Sequence, residues 1–246
     1  MNQKAVVVIS GGLDSTTLAA DVVKRGYDVF GVSFDYGQRH REKELACAAY
    51  QADKLGFKDH KVIDLTAINE IFAESGSSLV TDASVPEGHY GEESMKSTVV
   101  PNRNMIMMSI AAGYCVSIGG HILSTGVHAG DHFIYPDCRP SFVMYLQEAI
   151  LTGNEGFIAP EWLLDAPFLY WTKNQIADAA FRYDVDIANT WSCYNGGDIH
   201  CGKCGTCVER IEALESVKEL HSEFVDPTEY EDHEFWKTAL LQRGTV

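Results

Sequence analysis

Ala5-Val6-Val7-Val8-Ile9-Ser10-Gly11-Gly12-Leu13-Asp14-Ser15 is the stretch on which the fold turns. Its first five residues are apolar without alternation, as expected of a strand buried on both faces of a parallel sheet. The run stops at Ser10-Gly11-Gly12, and Thr16–Lys24 then carries apolar residues at helical spacing up to a stop at Gly26. A glycine turn between a buried strand and a helix start suits phosphate. Glycine lets the backbone approach closely, and the first turn of a helix offers free N–H groups. Ser10 and Ser15 add hydroxyl donors, so Ser10, Gly11, Gly12, Leu13, Asp14 and Ser15 are the candidate nucleotide-binding residues. Asp14 cannot favour bare phosphate. It makes sense as a catalytic group acting through Mg²⁺ on a pyrophosphate. The Gly-Lys-Ser/Thr ending of a Walker A loop is absent.

Working outward, Val29–Phe34, His60–Leu65 and His121–Thr125 read as further strands. Glu42–Leu55, Asn104–Ile118, Pro140–Leu151, Trp171–Tyr183 and Val208–Leu220 read as helices, with another short helix expected near the end of the acidic tail that begins at Ser222. The alternation at the start predicts an α/β fold with a doubly wound parallel sheet. Ser75–Thr98 has no periodicity, and a loop of that length inside a compact domain is commonly functional.

The 246 residues, 46% hydrophobic and 22% charged, suit a globular protein with one large α/β domain and an appendage, or two small domains. No apolar run is long enough to span a bilayer, and the N-terminus lacks a signal-peptide layout. The expected location is the cytoplasm. A net charge of −16 opposes polyanion binding, which points to a small-molecule substrate and away from nucleic acid.

Ligands of open α/β sheets bind beyond the carboxyl ends of the strands, which selects further candidates. Arg39, in Phe34-Asp35-Tyr36-Gly37-Gln38-Arg39-His40, can reach a phosphate or carboxylate with two hydrogen bonds. Arg103, in Val100-Pro101-Asn102-Arg103-Asn104, is a candidate catalytic and nucleotide clamp, with Asn102 as the expected helix cap. Asp131, His132 and Asp137 crowd the loop after the His121–Thr125 strand and are candidates for recognising an amino-heterocycle. The same residues also suit turn and capping roles. Lys173 follows a capping Thr172 in a first helical turn, where a cation opposes the dipole and calls for an anion nearby. It is the third catalytic candidate.

Of seven cysteines, four are clustered as Cys193-x7-Cys201-x2-Cys204-x2-Cys207, with glycines between them. This pattern favours a closed, structural Zn²⁺ site, with an iron–sulfur cluster as the alternative.

The Ser-Gly-Gly-x-Asp-Ser loop resembles the PP-loop of the ATP pyrophosphatases. Val6–Thr17, Phe34–Arg41, Val100–Asn104, Tyr135–Arg139 and the cysteine stretch together resemble the 7-cyano-7-deazaguanine synthase family of the queuosine and deazapurine pathway. The resemblance implies a Rossmann-like domain over 1–190, a zinc-binding segment with a helical region over 191–246, and use of ATP and Mg²⁺. It implies a homodimer that turns 7-carboxy-7-deazaguanine, ammonia and ATP into the nitrile. Many members carry Glu-Thr-Asp-Phe-Ser-Gly before the Tyr-Pro-Asp-Cys-Arg motif, where this chain has His128-Ala129-Gly130-Asp131-His132-Phe133-Ile134. That departure leaves open a relative making a deazaguanine amide or amine conjugate, beside a tRNA-modifying PP-loop enzyme.

Overall fold

The computed structural model describes residues 2–243. Its sheet has five parallel strands in the order β3-β2-β1-β4-β5: β1 Lys4–Val8, β2 Asp28–Asp35, β3 Asp59–Asp64, β4 Ile122–Ser124 and β5 Leu163–Asp165. The main helices are α1 Leu13–Lys24, α2 Arg41–Lys54, the short α3 Asn69–Ala73, α4 Arg103–Ser117, α5 Pro140–Gly153, α6 Lys173–Arg182, α7 Gly205–Leu220 and α8 Phe235–Arg243. The doubly wound parallel sheet expected from the sequence is present, as is the helix near the end of the tail. β5 was not expected; three residues are too short to carry a periodic signal.

Both faces of β1 are covered, and its side chains alternate between two cores. Val6 joins the core formed with α4 and α5, whereas Ala5 and Val7, with Ile9 just beyond the strand, pack under α1 and α6. Burying each valine or isoleucine contributes about 2 kcal/mol, which explains the unbroken apolar run. A third cluster joins Leu13 of α1, Ala177 and Ala180 of α6, and Ala213, Leu214 and Val217 of α7. Among the described residues no helix is long and apolar enough to cross a membrane.

Residues 75–98 form a strap rather than an open loop. Leu79, Val80, Val85, Tyr90 and Met95 are buried, and a 3-10 turn covers Glu93–Thr98. The Gly88 N–H donates to Lys203 O at 3.0 Å, and Val85 packs on the four clustered cysteines.

The cap of α4 differs from expectation. Asn102 takes a left-handed conformation (φ 60°, ψ 11°) and its side chain makes no capping bond. Asp137 instead accepts from the Asn104 N–H at 3.2 Å, so a carboxylate from a distant loop does the capping.

Gly11 is where the turn after β1 meets α2. Its φ is +81°, and a Cβ there would lie 2.4 Å from Glu44 O and 2.6 Å from Ala48 N. Left-handed strain and this backbone collision should together cost about 3 kcal/mol in Gly11→Ala. Urea melts of the variant will show a correspondingly lower midpoint; an unchanged midpoint would contradict the packing described.

Candidate active site

A cavity of about 1250 Å³, including its open mouth, lies at the carboxyl edge of the sheet. This is where the strand order reverses, between β1 and β4. Its wall is built from the N-terminal portions of α1 (Leu13, Asp14, Ser15), α2 (Glu44), α4 (Arg103), α6 (Lys173) and α7 (Thr206, Glu209).

The loop from Ser10 to Ser15 is tied internally. Ser15 Oγ accepts from the Ser10 N–H at 3.1 Å and lies 3.0 Å from Ser10 Oγ, which accepts from the Gly12 N–H at 3.3 Å. Gly12 is the N-terminal flanking residue of α1. The N–H groups of Leu13, Asp14 and Ser15 therefore lack intrahelical acceptors and face an anion-compatible mouth.

Lys173 and Asp14 lie 159 positions apart in the sequence and meet at 2.6 Å. Lys173 also lies 3.3 Å from Glu209. Thr172 places it: its Oγ1 accepts from the Gln175 N–H, and Gln175 Oε1 accepts from the Thr172 N–H, a reciprocal cap that starts α6. Burial favours the neutral form of Asp14, but Lys173, with His128 and Arg210, outweighs it and holds the carboxyl below its usual range. Burial likewise works against the charge of Lys173, and Asp14 and Glu209 more than compensate, raising its pKa. Glu209 has the opposite balance: burial raises its carboxyl despite the opposing pull of Lys173 and His128. One oxygen of Asp14, Oδ1, is buried without a hydrogen-bond partner.

His128 and Asp131 complete this side. His128 Nδ1 accepts from the Gly130 N–H at 3.1 Å, so a neutral ring carries its proton on Nε2. Nε2 lies 3.8 Å from Asp14 and 3.7 Å from Asp131. Asp131 accepts from the His128 N–H and from the Tyr90 hydroxyl, at 3.3 Å and 3.1 Å. Turn capping and cavity lining thus fall on the same two residues.

Arg103 lines the other side. It donates to the Tyr36 hydroxyl at 3.2 Å and stacks on that ring, and among the described residues no carboxylate pairs with it. Burial opposes its charge, yet Tyr36, Tyr194 and Tyr135 with Asp137 keep it firmly protonated.

Ser10, Gly12, Leu13, Asp14, Ser15, Arg103, Asp131 and Lys173 therefore share one cavity. Gly11 supports it from behind, through the approach to α2. Three other candidates do not line it. Arg39 donates from Nε to Thr81 O at 3.0 Å on the outer side, while its neighbours Gln38 and His40 enter. Asp137 caps α4. His132 offers its backbone oxygen to Arg139, and its ring lies outside the lining.

Cys193, Cys201, Cys204 and Cys207 converge with their sulfurs all within 4.8 Å of one another and can hold a metal ion. Trp191 packs among them, and its backbone N–H donates to Gly11 O at 2.9 Å, so the chain leading into the cysteines abuts the phosphate-type loop.

A family model described as "Queuosine biosynthesis protein QueC" matches residues 4–218. This chain belongs to the QueC family. It is 47% identical over 240 residues to the 7-cyano-7-deazaguanine synthase of Paracoccus denitrificans (strain Pd 1222), covering 98% of each chain. Against that of Hahella chejuensis (strain KCTC 2396) it is 49% identical, covering 93% of each. Against that of Methanoregula boonei (strain DSM 21154 / JCM 14090 / 6A8) it is 47% identical, covering 93% of this chain and 99% of the other. As a QueC family member the chain is an enzyme, and the resemblance read from its motifs is borne out.

Motif reading missed Glu209 and Tyr90 as partners of the QueC cavity, and it noted the loop that holds His128 without naming that residue as a site candidate. Glu209 follows Cys207 by two residues, and that spacing was the one available hint that the metal segment reaches the site.

The ion pair makes a pH-dependent prediction. Asp14 titrates in the folded protein below its ordinary 3.8, so its stabilising contribution is complete above that pH and is lost as pH falls through the lowered value. Lys173→Met removes the chief cation, leaving burial to raise Asp14 above 3.8. The variant should be about 3 kcal/mol less stable at pH 7. The deficit should shrink towards pH 4 as Asp14 takes up a proton. Urea melts across that range test it, and a pH-independent deficit would refute the assignment.

Proposed function

We propose that this chain converts 7-carboxy-7-deazaguanine, ammonia and ATP to 7-cyano-7-deazaguanine through adenylated intermediates. The observation that carries the reading is the meeting of Lys173 with Asp14 at the mouth of the Ser10–Ser15 loop, in a member of the QueC family. A substrate carboxylate oxygen attacks the α-phosphorus, and the bond to the β-phosphate oxygen breaks to release pyrophosphate. Ammonia displaces AMP from the acyl carbon with loss of a proton, giving the amide. A second adenylation of the amide oxygen, then loss of AMP and the remaining N–H protons, gives the nitrile.

In this scheme the protein positions groups and stabilises charge. The N–H groups at the start of α1, with Ser10 and Ser15, hold the β- and γ-phosphates. Lys173 donates to oxygens of the α-phosphate as negative charge accumulates there. Arg103, buried and without a carboxylate partner, takes an anionic or carbonyl oxygen of the ligand. Asp131, held by Tyr90 and His128, offers its carboxylate to the reacting end of the heterocycle or the incoming nitrogen. Asp14, with an unpartnered buried oxygen, fits a Mg²⁺ that would neutralise pyrophosphate.

The four cysteines fit zinc. A Zn–S bond of about 2.3 Å gives a tetrahedral edge of about 3.8 Å. Cys201 and Cys207 stand 3.9 Å apart, and all four sulfurs lie within 4.8 Å. We assign residues 1–190 to the nucleotide chemistry and 191–246 to the metal segment, and the working unit to a cytoplasmic homodimer.

Incubation with ATP, Mg²⁺, ammonium and 7-carboxy-7-deazaguanine should yield the nitrile, AMP and pyrophosphate, read by mass spectrometry and nucleotide chromatography. Stoichiometric ADP, or the amide as the end product, would refute the reading. Cys204→Ser should lower zinc content and melting temperature together, because thiolate–metal binding energy is coupled to folding of the Cys193–Cys207 segment. Full stability in metal-free protein would contradict this.

A further inference from the structure

The β2 side of the cavity holds polar groups that adenylation does not employ. Glu44, in the first turn of α2, has Oε2 accepting from Gln38 Nε2 at 3.0 Å and Oε1 at 3.4 Å from His40 Nε2. Gln38 is itself fixed from both sides. Its Oε1 accepts from the Tyr36 N–H at 3.0 Å, and its Nε2 also donates to Phe34 O at 3.1 Å. The amide cannot turn over without losing these bonds, so the carboxylate it grips is aimed.

Among the described residues, no Lys or Arg forms an ion pair with Glu44. Burial opposes its charge, and His40, Gln38 and Arg103 overcome that opposition and keep it ionised. His40 is 3% exposed, its ring lies tilted over Tyr194, and its Nδ1 is buried without a partner. Arg103 donates to Tyr36 and has no further acceptor among the described residues.

This part of the cavity therefore offers an acceptor-only carboxylate near a donor-only guanidinium. A guanine-type ring presents the complement along one edge: two adjacent donors, N1–H and the 2-amino group, beside an exocyclic oxygen acceptor. Adenine's edge offers the N1 lone pair, which a carboxylate repels. We propose that Glu44, held by Gln38 and His40, accepts hydrogen bonds from N1–H and the 2-amino group of the deazaguanine ring, with Arg103 taking an oxygen of the same ligand. The inference rests on the proposed reaction and names the side chain that selects its ring.

Calorimetric titration of the intact protein with 7-carboxy-7-deazaguanine, and with the analogue lacking only the 2-amino group, tests it. Wild-type protein should bind the analogue on the order of 100-fold more weakly, because the carboxylate loses a buried donor. Glu44→Gln should bind the parent ligand weakly and discriminate between the two by only a few-fold, with melting temperature and ATP KM near wild type. Equal binding of both ligands by wild-type protein overturns the proposal and needs no variant. So does a Glu44→Gln enzyme whose ATP KM rises while deazaguanine affinity stays unchanged. If wild-type protein binds neither ligand, the proposed reaction falls, and this inference with it.

Discussion

Parallel strands constrain where everything else can go. Because all five strands run the same way, the helices that follow them begin at the same edge of the sheet. Five helices contribute residues at or near their N-termini to one cavity: α1, α2, α4, α6 and α7. Each start carries N–H groups without intrahelical acceptors, some of them capped, and a partial positive charge. Their convergence creates a region that water or an anion must fill. The acidic balance of the chain as a whole does not describe this local field, which is set by backbone direction.

Within that field the side chains divide the cavity chemically. On the β4 side, Asp14, Asp131 and Glu209 surround Lys173 and His128, so cationic and anionic groups hold one another in place before any ligand arrives. On the β2 side, Arg103 and Glu44 are less fully paired with charged neighbours and have hydrogen-bonding capacity left for a ligand. The first arrangement suits charge migration during phosphoryl transfer, and the second suits recognition. One sheet edge serves both because β2 and β4 flank β1.

What could be read from the sequence was local. The strand–turn–helix at Ala5–Lys24 needed only apolar patterning and two glycines, and the reciprocal cap at Thr172 lies within four residues. Positions decided across space were not legible. Asn102 looked like the cap of α4, but Asp137 reaches that helix from another loop. Arg39 looked the strongest anion binder of its segment, yet the chain turns it to Thr81 and presents Gln38 and His40 inward. Tyr90 sat in a stretch without periodicity, and its place became visible only with the strap folded onto the cysteine segment.

The lack of space at Gly205 ties those parts together. A Cβ there would stand 2.6 Å from Met95 Sδ and 3.3 Å from Tyr90 Cα, so the strap rests directly on the first turn of α7. That turn begins at Cys204, runs through Thr206 and Cys207, and leads to Glu209 at the cavity wall. An ion held by the cysteines and a ligand held at the wall would therefore act on the same first turn of α7. Thermodynamic reciprocity follows: whatever free energy the ion lends to ligand affinity, the ligand returns as tighter retention of the ion. A copy whose cavity is occupied would on these terms hold its ion more tightly than an empty one.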